Sequence, residues 1–118
     1  MKRSVRLLIA LAFLPLLAAC KEKVPTIVSE NWLGKWNGPE GTFLQLERES
    51  AGAYDVIIQS LDGPASFRGA AVSEGIEFSR GGKTEIIHPG NGDQTGMKWL
   101  AGKNTCLIVK AGEGYCRD

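Results

Sequence analysis

Beyond Trp32, apolar and polar positions alternate in short runs. Thr42, Leu44 and Leu46 oppose Phe43, Gln45 and Glu47; Tyr54, Val56 and Ile58 oppose Asp55, Ile57 and Gln59; Phe67, Gly69 and Ala71 oppose Ser66, Arg68 and Ala70. Further on, Ile76 and Phe78 flank Glu77, while Thr84, Ile86 and His88 oppose Glu85 and Ile87. Met97 and Trp99 flank Lys98, and Cys106 to Val109 is a last apolar run. A period of two sends successive side chains to opposite faces, so each run predicts a strand. No stretch after Trp32 holds a helical apolar period without a glycine interrupting it.

Turn chemistry separates the runs. All 15 glycines follow residue 33, in groups such as Gly38-Pro39-Glu40-Gly41, Arg80-Gly81-Gly82, Gly90-Asn91-Gly92-Asp93 and Gly112-Glu113-Gly114. This regular punctuation is what an antiparallel meander needs. The reading is an all-β domain of about eight short strands. A lone open sheet would expose an edge and an apolar face, so a small up-and-down barrel is the expected solution, with a β-sandwich as the alternative. A chain this short builds a narrow barrel filled by its own side chains, which argues against a large ligand cavity.

The amino end follows another pattern. MKRSVR carries Lys2, Arg3 and Arg6, and the 13 residues from Leu7 to Ala19 are apolar. This is the layout of a secretory signal, and it falls short of the about 20 residues that a spanning helix needs. Leu17-Ala18-Ala19-Cys20 resembles the lipobox of bacterial lipoproteins. That resemblance implies that residues 1–19 are removed and that Cys20, the new amino terminus, carries the acyl chains. Lys21, where an aspartate would favour the inner membrane, then points to the outer membrane facing the periplasm. Residues 20–31 read as a lipidated tether and residues 32–118 as the barrel domain.

Removing the signal changes charge and cysteine usage. It holds three of the 14 basic residues and none of the 13 acidic ones, so the remaining 99 residues carry −2 and no basic patch for nucleic acid. With Cys20 lipidated, Cys106 and Cys116 form an even pair in an oxidising compartment, where a disulfide is the default. One histidine and no CxxC spacing give no metal site. No cofactor is expected beyond the lipid on Cys20.

Leu33-Gly34-Lys35-Trp36-Asn37 followed by Gly41-Thr42-Phe43-Leu44-Gln45-Leu46 resembles the first hairpin of the calycin barrels. That likeness implies that Trp36 closes the barrel floor, its N–H bonded to a backbone carbonyl, and a small-ligand-binding barrel is one functional reading it allows. Trp32 to Thr42, Thr95 to Leu100 and Gly112 to Asp118 are together similar to small proteobacterial lipoproteins, a group that brings no established activity with it.

The loop from Pro89 to Trp99 presents Asn91, Asp93, Gln94 and Thr95. It reads either as a finger that enters a partner's cleft or as an ordinary hairpin loop from which Met97 and Trp99 return to the core. Size, anchor and cysteine usage are similar to the membrane-bound inhibitors of C-type lysozyme, although their serine-rich pattern is missing. His88 has no nucleophile or carboxylate paired to it by a recognised motif, and Glu40, Glu47, Glu49 and Glu113 are scattered. The expectation is therefore a non-enzyme: an envelope accessory that binds a periplasmic protein or a peptidoglycan-associated partner. Outward apolar residues such as Phe43, Ile57 and Ile87 would mark the binding wall.

Overall fold

The computed structural model describes residues 30–118. The expectations placed on residues 1–29, including Cys20 and Lys21, fall outside them. Among the described residues eight strands form a closed antiparallel barrel in which each strand pairs with its neighbours in sequence and the last pairs with the first. They are β1 (Gly34–Asn37), β2 (Phe43–Ser50), β3 (Ala53–Ser60), β4 (Gly63–Val72), β5 (Gly75–Arg80), β6 (Lys83–Gly90), β7 (Cys106–Lys110) and β8 (Glu113–Cys116). The sandwich alternative is excluded by this closure.

The interior is filled by the alternating residues. Leu44 and Leu46, Tyr54 and Val56, Ile76 and Phe78, Leu107 and Tyr115 are all buried in one cluster. Two glycines match the tight packing. A Cβ on Gly69 would lie 2.7 Å from the Ile76 side chain, and one on Gly75 would lie 1.9 Å from the Ile87 carbonyl oxygen.

A 3-10 turn at Glu30–Trp32 enters β1 and closes one end of the barrel, here called the floor. Trp36 is 3% exposed and donates its indole N–H to the Trp32 carbonyl at 2.8 Å. Arg117, just past β8, clamps this turn. Its guanidinium lies 4.0 Å from the Trp36 ring and donates to the carbonyls of Asn31, Leu33 and Lys35. Gly34 sits at φ +99, and a Cβ there would be 3.1 Å from the Arg117 fork. The glycine before Trp36 therefore supplies a left-handed backbone and room for the arginine.

Three expectations are corrected. Ile87 faces the core at 0% exposure, so it cannot belong to an outer wall; Ile86 and His88 take the outer side of β6. Met97 to Trp99 is no strand: Asp93–Thr95 and Lys98–Leu100 are 3-10 turns, and Leu100 goes inward while Trp99 stays 74% exposed. The eighth strand is instead Glu113–Cys116, which takes up Glu113 and Gly114 of the expected turn. Of the remaining wall residues, Phe43 and Ile57 are half-buried, and Lys35 covers Phe43 with its ammonium 4.3 Å from the ring.

Candidate functional site

Alternate turns of an up-and-down barrel share an end. Opposite the floor, the β1–β2, β3–β4, β5–β6 and β7–β8 connections therefore meet around one mouth, and the strand termini beneath them carry its charged side chains. Arg80 ends β5, Glu85 lies near the start of β6, and Glu113 and Tyr115 belong to β8.

These four side chains form one network. Arg80 grips Glu113 with both arms of its fork, at 3.1 and 2.6 Å, and reaches Glu85 at 3.2 Å. Tyr115 donates its hydroxyl to Glu113 at 2.7 Å, and Lys110 lies 3.8 Å from Glu85 at the rim. The side chains are mostly shielded, with 25% exposure for Arg80, 18% for Glu113 and 11% for Glu85. Shielding and the planar fork make this pair stronger than a surface ion pair.

The network's protonation states are fixed by their surroundings. Hydrogen bonding to Glu113 raises the Arg80 pKa despite partial burial. Burial pushes Glu113 up, but the hydrogen bonds from Arg80 and Tyr115 outweigh it and hold the carboxyl below its ordinary value. Burial, then the hydrogen bond to Glu113, raises the Tyr115 phenol well above its usual value. Across the neutral range Arg80 and Glu113 therefore stay charged, and Tyr115 stays a neutral hydroxyl donor to the carboxylate.

Above the network lies a groove of about 550 Å³, with Pro39, Leu61, Met97 and Tyr115 as its apolar lining and Glu40, Asp62, Arg80, Lys110 and Glu113 as its charged lining. Its rim is stiff. The Gly38–Thr42 turn is closed by Gly38 N–H to the Thr42 carbonyl at 2.8 Å and by the Thr42 hydroxyl to the Pro39 carbonyl at 2.7 Å. Glu40 occupies the left-handed region at φ 59, ψ 35, unusual for a non-glycine residue. Across the groove, Leu61 is 73% exposed at the tip of the β3–β4 turn. Neither Glu40 nor Asp62 forms an ion pair among the described residues, so the uncompensated rim charge is negative.

The β6–β7 loop lies flat against the outer wall. Asn91 and Gln94 exchange side-chain to backbone bonds at 2.9 and 3.0 Å, as in a capping box. Asp93 accepts the Gly102 N–H at 3.1 Å, and the fully buried Thr95 donates its hydroxyl to the Gly92 carbonyl at 2.6 Å. Thr95 also accepts the Gly112 N–H at 2.8 Å, and Met97 reaches the Gly114 N–H with its sulfur. The polar groups expected at a fingertip thus hold the loop together and pin it to β8.

Beneath the loop, Leu100 and Met97 cover Cys106 and Cys116, which stand opposite each other on β7 and β8 within disulfide distance, 4.0 Å between Cα atoms.

The sequence reading singled out Glu113 only as a scattered acid, and it missed Arg80, Glu85, Tyr115, Leu61 and Arg117. One signal was present for the mouth. Arg80, Glu85 and Glu113 all flank turns of the same parity, which an up-and-down meander must bring to one end. Comparison with protein-family models, with curated proteins and with solved structures finds no match to this chain.

Proposed function

We propose that the chain is a lipid-anchored lipoprotein of the outer membrane, facing the periplasm, whose barrel is a non-enzymatic protein-binding module docking its partner at the mouth. Residues 1–19 serve as the signal, Cys20 carries the acyl chains and Lys21 directs sorting. The single observation that carries the binding role is the mouth groove, which exposed Leu61 and the stiff Glu40 turn line together above the charged network. Exposed apolar anchors beside uncompensated charge are how interfaces obtain affinity and orientation together. The filled interior and the inward-turned hydrogen bonds of the β6–β7 loop leave the mouth as the best-formed recognition surface of the described residues.

A photocrosslinking side chain at Leu61, in the full chain within its native envelope, is expected to capture one discrete partner that the same group at Ser66 does not. Identical products at both positions, or none, refute docking at the mouth. Anchoring is read separately: palmitate is expected to label the wild-type chain and not Cys20→Ala. Labelling that survives this substitution refutes the anchor alone.

A further inference from the structure

A second recess lies at the floor, away from the mouth and its charges. It measures about 340 Å³ and is lined by Trp32, Trp36, Pro89, Asn104 and Thr105, with Asn31, the end of β6 and the start of β7 completing it. Among the described residues no charged side chain lines it; Arg117 lies behind it on the Trp36 ring, and Asp118 is engaged with the Asn104 and Thr105 backbone. The mouth, by contrast, has five charged residues in its lining, and a crevice of about 310 Å³ on β3 to β6 has Arg68 and Glu77.

An indole, a proline ring, the Asn104 carboxamide and the Thr105 hydroxyl make a distinctive lining, with no charged side chain among the described lining residues. It suits a ligand that is neutral, rich in hydrogen-bonding groups and possessed of an apolar face. Sugar rings combine these properties: their axial C–H faces lie against aromatic surfaces, and their hydroxyls bond to amides and hydroxyls. A carboxamide in the wall also matches an acetamido substituent, which offers one donor and one acceptor of its own. We propose that this floor recess binds a neutral saccharide bearing an acetamido group, one ring or two at a time.

The segment is preset for that task. Asp118 accepts the backbone N–H groups of Asn104 at 2.8 Å and Thr105 at 3.3 Å, while the Thr105 carbonyl accepts the Arg117 N–H at 3.0 Å. With the backbone held this way, the Asn104 carboxamide and Thr105 hydroxyl remain available, and a ligand need not order the strand ends itself. The Trp32 backbone is held by the Trp36 indole N–H, which its carbonyl accepts, and its side chain packs against the core cluster.

The site does not depend on the mouth or on the lipid. The test is a titration of the full mature chain in lipid nanodiscs with N,N′-diacetylchitobiose, and with maltose as the sugar lacking acetamido groups. Two-dimensional NMR is expected to show saturable shifts of the Trp32 indole and of the Asn104 and Thr105 amides below about 20 mM chitobiose. Asn104→Ala combined with Thr105→Val changes exposed positions and spares the floor tryptophans. It is expected to weaken binding by about fivefold or more, the loss of a hydrogen bond or two, at unchanged melting temperature. Absence of saturable shifts, equal binding of maltose, or undiminished binding by the double variant each overturns the proposal.

Discussion

The chain has two tyrosines, and the same substitution is predicted to act on them with opposite sign. Tyr54 is 0% exposed in the barrel, and its hydroxyl has no hydrogen-bond partner among the described residues. Its ring packs in the core cluster with the Arg48 guanidinium 6.0 Å away, and Phe would preserve those contacts. A buried hydroxyl without a partner costs about 1–3 kcal/mol in desolvation. Removing it forfeits a few oxygen contacts of about 0.1–0.2 kcal/mol each. Tyr54→Phe is therefore expected to stabilise the barrel by about 1 kcal/mol, which raises Tm by about 4–8 °C in a domain of this size.

At Tyr115 the hydroxyl instead donates to ionised Glu113 at 2.7 Å, so Tyr115→Phe is expected to cost about 2 kcal/mol. Urea unfolding followed by tryptophan fluorescence measures both, with an unchanged m-value showing that neither substitution alters the surface exposed on unfolding. If Tyr54→Phe destabilises as much as Tyr115→Phe, the account of the interior as dry and filled is wrong.

Three further outcomes are expected. The depressed Glu113 pKa means that its contribution to stability is complete above the ordinary carboxylate range and is lost as pH falls through the lower folded value; Glu113→Gln should flatten that acid limb in pH-dependent urea melts. Arg117→Ala removes a guanidinium that serves three carbonyls and the Trp36 face, and should cost about 2–3 kcal/mol, with Arg117→Lys recovering less than half because an ammonium cannot form the fork; equal stability of the Lys variant would refute the geometric role. Replacing Cys106 and Cys116 by Ser should lower stability by about 2–3 kcal/mol in chemical denaturation under oxidising conditions, and a strong reductant should lower the wild type to the same level.

The strand count and closure were legible because glycine punctuation and a period of two act locally, within each hairpin. The parity of β6 was not. Ile86 and Ile87 are adjacent, so alternation alone does not say which one faces in, and the deciding residue is Glu85. A carboxylate on the inner face contradicts the usual assignment of charge to solvent, and it is tolerated there because Arg80 meets it from β5. Gly114 misled in a different way. It reads as a turn glycine, yet it belongs to β8 and lacks a Cβ because Thr95 fills that space: a Cβ there would lie 2.5 Å from the Thr95 methyl. The hairpin-loop reading returns both Met97 and Trp99 to the core, whereas it is Leu100 that packs over the two cysteines with Met97, and Trp99 stays exposed. The mouth network escaped detection because Arg80 and Glu113 stand 33 residues apart and meet only when the barrel closes.

That closure has a consequence for the order of assembly. Seven of the eight strand contacts join sequence neighbours, and each can form as soon as its own hairpin has been made. The eighth joins β1 to β8 through the single register pair Asn37 and Cys116, and Arg117 reaches back more than 80 residues to Asn31, Leu33 and Lys35. Ring closure over that span carries the largest loop entropy among the strand contacts and cannot be completed until Cys116 and Arg117 are present. Arg117 thus acts as a late clasp: a chain cut short before it can zip its hairpins and pair Asn37 with Cys116, but lacks the clamp that ties β8 back to the entry of β1.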